Sequence, residues 1–393
     1  MTRSLSAETR LVFRSADLAS DADEVAVLTR AVTDWGRALW LAEKEVATAA
    51  LFRMLQRSPG AQVPPDVLEY LSKSAMVSDF RMRHLSQRLM RTARELAEHQ
   101  VPFVLLKGAA IGALTDPTFR ARPMTDLDLL VHPADADRAR IAIIAAGWPE
   151  TSDPILLELL QSQHHLPPFI DPQMPDVRLE LHVALLPADH SFGFDASHLW
   201  REARPAPDPF ADALVPSRES VVLHACIHFA WQHSMQFGAW RTFRAVSAMI
   251  ENPVFDWERF VRQARDAKAA TACYWTLRLA GRLSGLVTPE GVLDRLAPPN
   301  APWVNDALER HFIAAIAPGE GPVSPSIRIS RLLWRTALQP RWSGHGRPGR
   351  WDSERRWERA RGTLSNEAAP ARVARHLAGI GDWWKFFVKT LLP

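Results

Sequence analysis

The chain has 393 residues, with 47% apolar and 23% charged residues and a net charge of +3 from 47 Lys+Arg against 44 Asp+Glu. That length exceeds one small core and suits two or three subdomains of a globular protein, while the near-neutral balance argues against a large nucleic-acid footprint. Two cysteines, Cys226 and Cys273, exclude a disulfide scaffold, and no run approaches the roughly 20 apolar residues of a membrane-spanning helix, so a cytoplasmic address without a signal peptide is expected.

Residues 1–75 read as a helical region. Apolar residues recur at threes and fours over Ala22–Leu41 and Glu43–Leu55, with a proline-containing break near Ser58–Pro65. A long amphipathic helix, Met76–His99, follows. Its Arg81, Arg83, Arg88, Arg91 and Arg94 read better as a solvated basic face than as a phosphate-binding stripe.

The informative stretch is Val101–Val131. An apolar run, Val101–Leu106, ends in Lys107-Gly108 and passes into a helix of small residues. After a polar turn comes Asp126-Leu127-Asp128-Leu129, where period-2 alternation on a strand puts both carboxylates on one face and both leucines in the core. Carboxylates that close repel unless a cation lies between them, and an oxygen-rich cluster suits a hard divalent ion. A helix from Pro133 to Gly147 comes next, and Glu150–Pro175 reads as irregular connection with a short helix. Strict alternation then predicts a strand over Val177–Leu185, with Arg178, Glu180 and His182 on its polar face. From Ser217 onward the pattern is helical: Arg218–Gln232, Phe237–Ile250, Trp257–Ala267 and Thr271–Leu286. Gln339–Arg350 reads as a Gly/Pro/Arg loop, and the Trp383–Phe387 tail as packing rather than membrane-docking.

A strand ending in glycine, a short helix and Asp-x-Asp on the next strand resembles the DNA polymerase β-like nucleotidyltransferase superfamily. Within it, LLKGAAIGAL and RARPMTDLDLLV resemble an uncharacterised nucleotidyltransferase family through Lys107, Gly108, Arg122, Pro123, Met124, Thr125, Asp126 and Asp128. The resemblance covers about residues 45–300. It implies an α+β fold: a small mixed-sheet nucleotidyltransferase core at 76–190, flanked by N-terminal helices at 1–75 and a larger C-terminal helical domain at 191–393.

For such chemistry, Asp126, Asp128 and Glu180 are the expected catalytic and metal residues, holding two Mg²⁺ ions. Glu180 doubles as general base, and His182 is expected as its outer partner rather than as a ligand. Lys107, Gly108, Ala109, Arg122 and Thr125 are expected at the phosphates of ATP or another NTP. Two departures stand out: the superfamily's Gly-Ser turn is Gly108-Ala109 here, and its third acid is Glu180 where Asp is common. His224, His228 and His233 read as core or pocket lining rather than a metal set, and both cysteines as inert. The first functional reading is transfer of AMP from ATP to a hydroxyl of a small molecule, peptide or protein, without membrane or nucleic-acid partners. The alternatives are a non-catalytic nucleotide-binding or scaffold protein with a degenerate site, and a toxin-like enzyme modifying tRNA.

Overall fold

In the computed structural model, residues 4–338 are described except 121, 151–163, 187–191, 253 and 322–326. The Gln339–Arg350 loop and the Trp383–Phe387 tail lie outside the described residues. At the N-terminus are helices α1 (Ala7–Arg14), α2 (Ala22–Ala31), α3 (Trp35–Lys44) and α4 (Thr48–Gln56). The apolar period through Ala22–Leu41 predicts one helix, but Val32 is extended and the Asp34 side chain accepts from Arg37 N, capping a new start. Helix α5 (Pro65–Glu98) opens on a proline at its first position and runs 34 residues, straight through the expected boundary at 75.

A mixed sheet of six strands follows, in the order β3-β4-β2-β1-β6-β5. Its strands are β1 (Val104–Leu105), β2 (Asp126–Leu130), β3 (Phe169–Ile170), β4 (Arg178–His182), β5 (Arg204–Pro205) and β6 (Leu214–Val215). The predicted strands at 101–106, 126–131 and 177–185 are all present, in shorter form. β5 and β6 come from beyond residue 190 yet complete the sheet. Helix α6 (Lys107–Thr115) links β1 to β2, and α7 (Ala136–Ala145) follows β2.

The central ladder is parallel, pairing Asp126 with Arg178, Asp128 with Glu180 and Leu130 with His182. On its other face Leu127, Leu129, Leu179 and Leu181 are fully buried. Removing four leucine side chains from water contributes roughly 6–12 kcal/mol, enough to offset much of the cost of holding like charges together on the opposite face. Those leucines belong to one core that continues into both flanking helical regions.

The C-terminal helices are α8 (Ala196–Glu202), α9 (Arg218–Ile227), α10 (Ala239–Ile250), α11 (Trp257–Asp266), α12 (Ala270–Ser284), α13 (Val292–Leu296), α14 (Pro302–Ile316) and α15 (Ile327–Ala337). The predicted Arg218–Gln232 helix changes to a π-turn over His228–Gln232. N- and C-terminal helices lock through the buried Trp240, whose Nε1 donates to Ser15 Oγ and whose backbone N–H donates to Glu45 Oε2. Cys226 and Cys273 are free and buried. Among the described residues no helix is long and apolar enough to cross a membrane.

Candidate active site

The site is assembled where α6 leaves the sheet. Leu106 N–H donates to Asp128 O, which ties the end of β1 to β2. Lys107 then turns into the helix with φ 45°, a left-handed backbone that an L-residue adopts only at a cost and that tends to persist at functional positions. This turn brings the ammonium onto the acidic face: Lys107 Nζ donates to Asp128 Oδ1 at 2.6 Å and lies 3.8 Å from Glu180 Oε2.

Asp128 and Glu180 face each other because the register pairs them directly. His182, one pleat further along β4, donates from Nε2 to Asp128 Oδ1 at 2.8 Å and stands 3.6 Å from Glu180 Oε2. The imidazole thus reaches diagonally back to Asp128 first, where sequence reasoning pairs it with Glu180. Asp126 lies on the same face, partly exposed, while Asp128 is 1% exposed.

The electrostatics follow from this crowding. Burial by itself would raise the Asp128 carboxyl, but Lys107 and His182 hold it well below the ordinary range. Glu180 is also held low: burial and Asp128 push it up, and the nearby His182 imidazole together with Lys107 outweighs them. Asp126, pressed by burial and then by Asp128, is raised. Burial would lower Lys107, yet Asp128, Glu180 and Asp126 hold it above its usual value. His182 is raised in spite of burial and Lys107, through its hydrogen bond to Asp128 and the nearby Glu180 carboxylate.

Three carboxylates thus face Lys107 and His182 directly, with Arg122 at longer range. Asp128 Oδ2 is buried and has no hydrogen-bond partner, and one ligand atom each from Asp128, Glu180 and His182 fall within 4.8 Å of one another. An orphaned carboxylate oxygen inside an oxygen-rich cluster fits a divalent cation. The atoms that fall together are those of Asp128, Glu180 and His182, so the histidine expected outside the ligand set joins it, while Asp126 shares the face of the strand without being one of the three.

Of the residues expected at the phosphates, Lys107, Gly108 and Ala109 open α6 and Arg122 reaches Gly108, whereas Thr125 stands at the edge of the ladder, one position before β2. Gly108 and Gly112 lie one turn apart on the helix, under the returning loop. A Cβ at 108 would stand 2.5 Å from Met124 Sδ and 2.7 Å from Arg122 Nη1, and one at 112 would collide with the Phe119 ring. Phe119 in turn stacks on Phe210 with ring centroids 5.5 Å apart. Arg122 Nε donates to the backbone oxygen of Arg241, and burial, then the Arg241 charge, lowers its guanidinium to about 10. The Ala109 methyl is fully buried, and the Thr125 carbonyl accepts from Arg178 N–H, extending the ladder.

Two groups near the site escape sequence reasoning. His164 packs with its ring centroid 5.1 Å from that of His182, and burial, then His182, lowers it to about 2, so it stays neutral. Arg241 is the other. The His164-His165 doublet sits in an unpatterned segment and Arg241 on an ordinary amphipathic helix, so neither carries a periodic signal. His224 is nearly fully buried and lowered to about 3 by burial and then by Lys107.

The family described as uncharacterised nucleotidyltransferase matches residues 31–285, well over half of the chain and all of the sheet. The chain belongs to this nucleotidyltransferase family. It is therefore a transferase with a nucleotide as substrate, and the mixed sheet with helical flanks is the fold that houses the activity. No curated protein and no solved structure matches it.

Proposed function

We propose that this nucleotidyltransferase moves AMP from ATP to a hydroxyl of a small molecule, a peptide or a protein. The observation that carries the reading is the direct pairing of Asp128 with Glu180 on adjacent parallel strands, next to Lys107 at the start of α6. Asp126, Asp128 and Glu180 would hold two Mg²⁺ ions, which when bound neutralise a triphosphate and lower the pKa of an attacking hydroxyl.

The chain's own residues supply the rest. Glu180 stays anionic and accepts the proton of the acceptor hydroxyl, a general-base contribution worth typically ~10² to 10⁴-fold. The acceptor oxygen forms a bond to the α-phosphorus, the bond from that phosphorus to the bridging oxygen breaks, and pyrophosphate leaves with the electron pair. His182 orients Asp128 through Oδ1 and leaves Oδ2 available. Lys107 neutralises the cluster when no other cation is there and is within reach of the phosphates at the helix start. Arg122 and the first N–H groups of α6, at Gly108 and Ala109, face the same anion, with Thr125 at the edge of the pocket. Two free, buried thiols fit a reducing cytoplasm.

The test is pyrophosphate release from labelled ATP with Mg²⁺ and a cell-extract mixture of acceptors. Release by the parent, with label transferred to an acceptor and neither event in Asp126→Ala, is the expected result. ATP binding without pyrophosphate release across acceptor fractions would favour the scaffold reading, to which the buried Ala109 methyl at the Gly-Ser position lends its weight. Transfer of label only to tRNA would favour the toxin-like reading.

A further inference from the structure

We infer that His164 and His165 line the subsite of the acceptor, and that this acceptor is a small uncharged compound carrying more than one hydroxyl. The inference rests on the nucleotidyl-transfer reading above and names the class of molecule that reading leaves open.

One side of Glu180 is already taken. In the sheet order β3-β4-β2, Asp128 stands directly across the ladder from Glu180 on the β2 side, with Lys107 Nζ 3.8 Å away. The other edge of β4 is covered by the chain that runs into β3. There Leu166 N–H donates to Leu181 O, and the N–H groups of Val183 and Ala184 both donate to His164 O. His165 is bridged directly to His182. Residues directly opposite each other point to the same face, so the His165 ring rises on the face that carries Glu180 and Asp128. His164, His165 and His182 form one cluster, with ring centroids 5.0 Å apart for the first two and 5.1 and 5.3 Å from each to His182.

The nitrogens of this cluster are short of partners. His164 is 8% and His182 0% exposed, and Nδ1 of each is buried with no hydrogen-bond partner. His165 Nδ1 lies 2.9 Å from Leu166 O; a carbonyl only accepts, so Nδ1 carries the hydrogen and Nε2 of the neutral ring offers a lone pair. Burial holds both His164 and His165 below the ordinary imidazole range. Buried polar atoms are rarely left without a partner. A single ion does not supply one: among the described residues the donor set that closes on one ion takes in His182 but neither His164 nor His165. An organic molecule does, with one hydroxyl at Glu180 and others on the imidazoles. The segment beyond, Leu166-Pro167-Pro168-Phe169-Ile170, runs on without a charge, and the cation of β4, Arg178, is exposed on the far side of Glu180, paired across the ladder with Asp126. A charged substituent beside His164 and His165 would find no counter-charge in that segment.

Methyl glucoside, glucosamine and glucuronate share one ring and differ in charge, which makes them the probes. With the full chain, labelled ATP and Mg²⁺, label is expected to pass to methyl glucoside with kcat/KM at least about tenfold above that of either charged ring. His164→Ala and His165→Ala should each raise KM for the glucoside roughly tenfold, the loss of about one hydrogen bond, and leave KM for ATP unchanged. Equal use of the probes, or a glucoside KM unmoved in both variants, overturns the assignment. Pyrophosphate release with no label on any probe also overturns it, while the transfer reading stands. If the parent releases no pyrophosphate at all, the transfer reading fails on its own count. In that case, or if a variant does not fold, ¹⁵N-histidine spectra of the parent decide. A shift of the His164 and His165 ring nitrogens on adding the glucoside alone supports the subsite; unmoved resonances, the mark of water filling only, overturn it.

Discussion

Asp128 and Asp171 are each 1% exposed and each meet cationic partners, yet the two clusters are built on opposite principles. Asp171 is closed. Its Oδ1 accepts from the N–H groups of Gln173 and Met174, and its Oδ2 meets Arg88 Nε at 2.8 Å and His84 Nε2 at 3.1 Å. Arg88 is itself fixed by the carbonyls of Ala146 and Gly147 and by the face of Trp148. One carboxylate thus clamps α5 to the segment before β4, with Oδ1 hydrogen-bonded and Oδ2 at ion-pair distance from Arg88, though outside hydrogen-bond geometry. Asp128 is open: both its partners crowd Oδ1, Oδ2 has none, and two more carboxylates stand nearby. At Asp171 each oxygen has polar groups within 3.1 Å, whereas at Asp128 both partners share one oxygen, and that lopsided arrangement marks the second as a place where something else binds.

The widest separation between the clusters should come from removing each acid. Asp128→Asn is expected to lower transfer on the order of 10³-fold, the value of several kcal/mol of transition-state stabilisation, with an almost unchanged urea midpoint. Asp171→Ala is expected to lose about 3–5 kcal/mol of stability, because Arg88 is left buried with no carboxylate, while transfer per folded molecule persists. Rates and urea unfolding on both variants check this, and equal stability losses would erase the distinction.

Lys107→Met sharpens the same contrast. Without its ammonium only His182 and Arg122 offset the three carboxylates, so in EDTA the variant should lose about 2 kcal/mol. Millimolar Mn²⁺ should restore more stability to the variant than to the parent, read as the shift in thermal midpoint. No metal-dependent recovery would count against a cation site at Asp128.

The smallest effect concerns pH, where the clusters should respond with opposite sign. Burial would raise Asp171, but the N–H groups of Gln173 and Met174, His84 and Arg88 together lower it. The folded state then favours the ionised form, so this contribution is fully present above the unfolded carboxylate value near pH 3.9 and is lost as pH falls through the lower folded value. Asp126 is raised, so the folded state binds the extra proton and stability declines as pH rises through that window. In EDTA at pH 7, Asp126→Asn should be stabler than the parent by about 0.2–1 kcal/mol, the cost of like charges side by side on a sheet. That gain should shrink towards pH 4; urea midpoints at the two values measure it, and a gain independent of pH would contradict the assignment.

The acidic half of the site was legible because β2 and β4 each bury one face. Period-2 alternation in Asp126–Leu130 and Arg178–His182 displays that burial directly, and the two strands then needed only to be neighbours for Asp128 and Glu180 to meet. Strands β1, β3, β5 and β6, two residues each, are too short to show any period, which is why three of them were invisible in the sequence and β1 was recognised only through the apolar run around it. The break between α2 and α3 hid behind an apolar rhythm that runs on through it, since Asp34 acts by a cap rather than by hydrophobicity. The preference of His182 for Asp128 depends on how far an imidazole reaches across a ladder. The meeting of Arg122 with Arg241, 119 positions apart, depends on helix packing that no local pattern encodes.

The two glycines of α6 carry an implication for tracing distant kin. With no side chains at 108 and 112, the helix offers a shallow channel one turn long, and the chain coming back from it lies in that channel with Arg122, Met124 and Phe119 as its rungs. Where Arg122 points is therefore fixed by what is missing from α6. A homologue that has lost its acids but kept both gaps would still hold that arginine in place, whereas one with alanine at either gap would have to redraw the loop even with every carboxylate intact.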